Sequence, residues 1–206
     1  MSERRGWSGR PRAGAPPALT FHPATPDRWG DVETLFGDRG ACAGCWCMYW
    51  RLDAKAYTAG KGAGNRAALR RIVRRGEEPG ILAYAGKEPI GWCAIAPREE
   101  YPRLDRSRVL ARLDDTPVWS ISCLFVARPW RRRGVSRALI EAAVAHARSR
   151  GARVLEGYPV DPAAPQADAF VWTGIASAYE RAGFHEAERR SPTRPIMRRK
   201  VTPRRK

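Results

Sequence analysis

The stretch Cys123-Leu124-Phe125-Val126-Ala127-Arg128-Pro129-Trp130-Arg131-Arg132-Arg133-Gly134-Val135-Ser136 constrains this chain more than any other. It runs from an apolar strand through a short basic turn into a helix with glycine at its start. Such a turn points several backbone N–H groups at one place. The helix behind it adds its own unpaired N–H groups and the positive end of its dipole. Arg131, Arg132 and Arg133 supply charge-assisted donors beside this nest. The combination predicts a seat for a pyrophosphate. It is neither the G-x-x-x-x-G-K-[ST] of a P-loop nor the G-x-G-x-x-G of a dinucleotide fold. A solvated basic run is the bland alternative, and the position between strand and helix argues against it.

The helix is well specified. Val135, Leu139, Ile140, Ala143, Val144 and Ala147 share one face, with Arg137, Glu141 and Arg148 opposite. Gly151 stands where a left-handed C-terminal cap is expected, and Val154 to Tyr158 reads as the next strand. Strand, helix and strand of this length predict a right-handed parallel crossover. Arg131-x-x-Gly134-x-Ser136, preceded by Leu124-x-Val126, resembles the Q/R-x-x-G-x-G/A element of the GCN5-related N-acetyltransferases, the GNAT family. Ser136 replaces the usual Gly or Ala and is still small enough to let a phosphate approach. Tyr179-Glu180-Arg181-Ala182-Gly183-Phe184 resembles the family's late Y-x-x-x-G-F. The resemblance runs from about Leu19 to Val201 and is specific in these two places.

The resemblance implies an α/β (α+β) GNAT fold: a mixed central sheet of six to seven strands flanked by helices, with splayed strands that bind acetyl-CoA as cosubstrate. No metal is implied. Leu124, Phe125 and Val126 would meet the pantetheine arm as an added strand would. Arg131, Arg132, Arg133, Gly134, Val135 and Ser136 would hold the diphosphate. A backbone N–H near Leu124 would polarise the thioester carbonyl. Tyr179 becomes the candidate general acid. Glu156, in Val154-Leu155-Glu156-Gly157, resembles the glutamate of the L-E-V strand in ribosomal-protein N-terminal acetyltransferases and becomes the candidate base. An insertion, Pro159 to Trp172, separates Glu156 from Tyr179, and its Asp161 and Asp168 are alternative bases.

Cys42-Ala43-Gly44-Cys45-Trp46-Cys47-Met48-Tyr49-Trp50 is the strangest segment. Three thiols fall short of the four ligands of a structural zinc site. The reading favoured here uses the rings. Trp46, Tyr49 and Trp50, with Tyr101 and Trp119, would wall an acceptor pocket; equally, the segment packs on the sheet edge with its cysteines as small hydrophobes. His146 and His185 read as helix-face and strand-start residues.

The chain has 206 residues, of which 43% are apolar, enough for one full core. No run approaches the ~20 apolar residues of a membrane span, the N-terminus has no signal-peptide hydrophobic stretch, and a cytoplasmic location is expected. Five cysteines then read as free thiols. The net charge is +17, but +3 of it lies in residues 1–16 and +9 in residues 189–206. A disordered basic tail is expected over 1–16, the acetyltransferase domain over 17–201, and a short basic tail over 202–206. The remaining charge suits a phosphorylated cofactor. No specific nucleic-acid or membrane partner is expected.

Elsewhere, Leu19 to His22 reads as a first strand, Thr25-Pro26-Asp27 as the cap of a helix to Phe36, and Asn65 to Arg75 as another helix. Gly80 to Ala85 and Pro89 to Ala96 read as a hairpin. Val118 to Val126 is the central strand. Phe184 to Ala187 and Ile196 to Val201 should close the sheet. The function expected is direct acetyl transfer to a primary amine of a small molecule or a peptide N-terminus. Glu99, Glu100, Asp114 and Asp115 near the groove rim would suit a cationic acceptor. A homodimer through the late strands fits the family. Two alternatives stay open: a catalytically silent acyl-CoA-binding regulator, and a basic ribosome- or nucleic-acid-associated protein on the same fold.

Overall fold

The computed structural model describes residues 18–162 and 171–203. The expected tail over 1–16, the candidate Asp168 and residues 204–206 lie outside the described residues. Seven strands form one open sheet: β1 Leu19–Pro23, β2 Gly80–Ala85, β3 Glu88–Pro97, β4 Trp119–Val126, β5 Val154–Gly157, β6 His185–Arg189 and β7 Pro195–Lys200. Their order is β1-β2-β3-β4-β5-β7-β6. Only β4 and β5 pair in parallel. The helices are α1 Trp29–Phe36, α2 Ala54–Ala59, α3 Ala63–Arg74, α4 Pro102–Asp105, α5 Val135–Ser149 and α6 Ala176–Arg181.

The apolar stripe of α5 does what its spacing requires. Val135, Leu139, Ile140, Ala143 and Ala147 pack on Ile81, Ile90, Ile95, Ile121 and Leu155 on one face of the sheet. Each large aliphatic side chain buried there contributes about 1.5–3 kcal/mol. Tyr179 and Phe184 join this layer from α6 and the turn behind it. On the other face Val32, Phe36, Leu69, Ile72 and Val73 of α1 and α3 cover Leu82, Trp92, Ala94 and Cys123. A third cluster gathers Trp50, Tyr101, Leu104, Leu110, Tyr158 and Ile196. Thr25 makes no side-chain cap; its hydroxyl instead accepts from Arg28 at 3.0 Å. A short 3-10 turn over Pro26–Arg28 leads into α1. Helices α2 and α4 are each too short to show a helical period in sequence.

The sheet opens at its centre, and this places the site. In β4 the register jumps from Ala94↔Cys123 to Ile95↔Ile121, which leaves Ser122 as a bulge. Pairing of β4 with β5 covers only Trp119 to Ile121. Beyond that point the strands part, and the chain itself crosses the gap. The Leu124 N–H donates to the Trp172 carbonyl at 2.7 Å, and the Val160 N–H to the Gly174 carbonyl at 2.8 Å. The Ala176 N–H donates back to the Val160 carbonyl at 2.9 Å.

Candidate active site

The mouth of the gap is the nest. After β4 the chain makes a 3-10 turn over Arg128–Trp130. It then places both Arg132 (φ 60°) and Gly134 (φ 79°) in the left-handed region before α5 begins. A non-glycine residue there costs about 1–2 kcal/mol, a strain that fits a binding loop. Left-handed residues at a helix start turn successive N–H groups toward one point. The Arg131 Nε donates to the Val126 carbonyl at 2.9 Å and ties the turn to the strand end. A cleft of about 770 Å³ opens here, lined by Leu124, Phe125, Val126, Arg131, Arg132, Gly134, Val135 and Ser136. Its wall also carries Arg137 and Arg181, two cations that the sequence did not single out. Arg133 differs from its expected place. Its guanidinium lies 5.6 Å from the Trp130 ring centroid, and it is not among the residues lining the cleft.

At the inner end stands Leu124, and Tyr179 is buried behind Gly174 of the cleft wall. Tyr179 is fully buried, and its ring fits only because residue 157 is glycine. A Cβ on Gly157 would lie 2.0 Å from Tyr179 Cε1. The Tyr179 hydroxyl donates to the Thr173 carbonyl at 3.1 Å. Burial drives its pKa well above the phenol range, helped by the nearby Cys93 and Cys123; the group stays protonated and keeps a proton to donate. Gly174 lies between the two residues, since a Cβ there would meet Leu124 Cδ1 at 2.7 Å and Tyr179 Cε2 at 2.9 Å. Consecutive carbonyls, those of Trp172 and Thr173, therefore occupy both groups to which chemistry was ascribed. The Leu124 N–H, expected to be open to a pantetheine arm, is already paired.

Glu156 stands apart from its expected role. It is 1% exposed. One carboxylate oxygen accepts from Arg98 Nη1 at 3.1 Å and from the Tyr158 hydroxyl at 2.8 Å. The other accepts from Arg198 Nε at 2.7 Å. Arg98, itself fully buried, also reaches Asp105 at 2.9 Å and the Leu110 carbonyl at 2.8 Å. Both oxygens are committed to fixed cations, so none faces a substrate amine. Asp161, the described alternative, pairs with Arg189 at 2.8 Å.

The aromatic candidates divide. Tyr49 and Trp50 meet edge to face at 4.8 Å, and Trp172 and Tyr57 each approach Tyr49 to 5.4 Å. Arg103 stacks 4.0 Å above the Tyr49 ring. Trp46 is core: 2% exposed, stacked on Trp29 and edge-on to Phe36. Tyr101 is buried under the Arg51 guanidinium. Trp119 lies at the opposite end of β4 from the nest. It contacts His146 and lines a separate pocket of about 300 Å³ with Glu78 and Arg150. Cys47 lies 3.4 Å from Cys123, thiol to thiol; among the described residues no three Cys, His, Asp or Glu side chains gather as a metal site would need.

The basic run of the late strands is tied to protein partners. Arg189 pairs with Asp161 and Glu186, Arg198 with Glu156 and Asp114, and Arg199 bonds the Ala182 carbonyl. Three of the four acidic rim residues are answered likewise: Glu99 by Arg112, Glu100 by Arg51, Asp114 by Arg198.

A sequence model described as the acetyltransferase (GNAT) family matches residues 46–171, from the aromatic segment through the nest. The chain belongs to that family. Solved GNAT structures share its fold. One, an acetyltransferase of the GNAT family from Listeria monocytogenes, superimposes with a TM-score of 0.55 at 11% identity, over 89% of this chain and 95% of that one. The PaiA N-acetyltransferase of Thermoplasma acidophilum, crystallised with coenzyme A, gives 0.50 at 11% identity over 89% and 99%. The NatC complex bound to Gag peptide and CoA gives 0.51 at 12% identity over 89% and 99%. No curated protein matches by sequence. At such identities the likeness establishes a GNAT fold, and the family makes the chain an acetyltransferase. Among the described residues no helix is long and apolar enough to cross a membrane.

Proposed function

We propose that this GNAT protein is an acetyl-CoA-dependent N-acetyltransferase that moves acetyl directly from the thioester to a primary amine, within a single domain over 17–201. One observation supports this most. The Leu124 N–H and the Tyr179 O–H meet consecutive carbonyl oxygens at the inner end of a cleft whose mouth is a phosphate nest. The peptide there marks positions where an acyl oxygen and a second acceptor atom can be received.

The residues fit the cosubstrate. Arg131, Arg132 and the N–H groups of Gly134 to Ser136 would hold the diphosphate, with Arg137 and Arg181 beside them. Acetyl-CoA, when bound, brings the activated acyl group. The protein's own part is electrostatic and protonic. The Leu124 N–H, once released by Trp172, is a donor for a carbonyl oxygen on which charge develops. The Tyr179 Oη carries a proton held by burial, the state a general acid needs. Of the candidate bases among the described residues, Glu156 and Asp161 are both paired. An amine with a lowered proton affinity, such as an α-amino group near ~8, demands least of such a site.

Calorimetric titration tests the cosubstrate: acetyl-CoA should bind, and Arg131→Ala with Arg132→Ala should weaken it by ~10–100-fold, the loss of one or two charge-assisted bonds. Free-thiol release across an amine panel tests transfer, and Tyr179→Phe should lower kcat by ~100-fold or more with affinity kept. Binding without thiol release on any amine would favour the acyl-CoA-binding regulator. Absence of binding would remove both readings.

A further inference from the structure

The guanidinium of Arg194 lies against Thr173 and has little to hold. Arg194 precedes β7 and is partly buried. Its Nη1 lies 3.2 Å from the Thr173 hydroxyl, on the residue whose carbonyl accepts from Tyr179. Thr173 in turn stands between Trp172, whose ring meets Tyr49 and Trp50, and Gly174, which lines the cleft. Arg194 therefore lies beside the peptide that joins the cleft to the aromatic group.

Other inward-reaching arginines are paired with acids or held by rings. Arg98 has Glu156 and Asp105, Arg198 has Glu156 and Asp114, and Arg51 has Glu100. Arg103 donates to the Tyr49 carbonyl at 2.9 Å and stacks on two rings. Among the described residues the Arg194 side chain has one neutral hydroxyl as its hydrogen-bond partner. A guanidinium carries five donors in a planar fork and remains charged. Removing it from water without an anion is costly. Burial accordingly lowers its pKa from the ordinary arginine value. A second donor nearby also lacks an acceptor: Trp50 Nε1, buried within the aromatic group, has none among the described residues. The acids that would have welcomed a cationic acceptor are mostly spent on arginines.

We infer that the acceptor is an amine that also carries a carboxylate, an amino acid or close relative, and that Arg194 with the Thr173 hydroxyl seats that carboxylate. The inference rests on the N-acetyltransferase reading and narrows it. A carboxylate matches the guanidinium fork with two parallel bonds. In an α-amino acid the amine is then held near the Tyr179 hydroxyl, on the Thr173 side of the gap.

The test uses the full chain, acetyl-CoA and paired acceptors: free amino acids and the same amino acids as carboxamides, with thiol release as readout. The wild type should favour acids over amides by ~10–100-fold in kcat/KM, the range expected for one charge-assisted pair. Arg194→Gln should abolish that preference through KM for the acid, and Arg194→Lys should restore part of it. Arg194→Gln should also melt no lower than wild type, because no acid in the described protein depends on Arg194; this separates seating from structural support. Equal or better use of amides by wild type, turnover of no carboxylate amine, or a preference for phosphorylated amines would each overturn the proposal. Calorimetry with acetyl-CoA runs alongside. Loss of that binding would strike the broader reading, whereas binding and amide turnover without acid preference would strike this one alone.

Discussion

Replacing Glu156 by glutamine tests whether this residue holds the protein together or takes a proton. The carboxylate is 1% exposed and touches three donors: Arg98 Nη1 at 3.1 Å, Tyr158 Oη at 2.8 Å and Arg198 Nε at 2.7 Å. An amide of the same shape presents one NH2 group. Whichever way it is flipped, that group faces a guanidinium, donor against donor. Breaking one side of a buried ion pair costs about 3–5 kcal/mol. Arg98 keeps Asp105 and Arg198 keeps Asp114, so the lower end, about 3 kcal/mol, applies. For a chain of this size that lowers Tm by about 6–12 °C. Thermal melts of wild type and Glu156→Gln, with thiol-release kcat measured well below both midpoints, decide the matter. The structural role predicts the fall in Tm with kcat within about threefold for the folded fraction. A Tm within ~2 °C of wild type together with a kcat lowered by ~100-fold or more would refute it and restore Glu156 as the base.

Other perturbations follow from the same geometry. Gly157→Ala puts a Cβ 2.0 Å from Tyr179 Cε1. Overpacking of that kind costs about 1–3 kcal/mol, so the variant should melt lower and turn over more slowly while acetyl-CoA affinity, proposed to rest on the nest, is kept; unchanged turnover would show that the ring's place is unimportant. Burial holds the His146 imidazole below its ordinary value of 6.5, against the pull of Glu78. The unfolded chain then takes up the proton first, so stability should fall as pH drops below about 6.5. Urea midpoints at pH 7.5 and 5.5 should differ less in His146→Leu than in wild type, and equal differences would contradict this.

Much of the fold was legible because it depends on local pattern. The stripe from Val135 to Ala147, the Gly86-Lys87-Glu88 turn and the left-handed stop at Gly183 each act within a few residues. The nest was legible for the same reason, since strand, turn and helix start are contiguous. The acceptor side was harder. The bulge at Ser122 resets the alternation of β4: Ile121, Leu124 and Val126 all face α5, while Cys123 and Phe125 face the other way. A strict period of two cannot show this. Ring chemistry alone suggests Trp119 for the acceptor pocket, though four residues of extended strand separate it from Leu124. Trp46 sits at φ 44° and turns into the core, a geometry its neighbours do not announce. The partnership of Arg98 with Glu156 spans 58 positions, and a buried arginine in an acidic loop resembles any solvated one in sequence. In sequence Arg194 is one of a basic run; what sets it apart from Arg189 and Arg198 is that no acid is among its described partners.

The consecutive carbonyls of Trp172 and Thr173 act as an internal competitor. Any molecule that takes the Leu124 N–H must first dislodge a peptide already bonded there. If each such bond is worth ~1 kcal/mol, displacing both weakens apparent affinity by roughly thirtyfold. That handicap is set by the anchors of the segment, the Val160 bonds to Gly174 and Ala176, rather than by any group the incoming molecule touches. Substitutions at those anchors can therefore make the protein greedier or more reluctant without altering a single contact to its ligand.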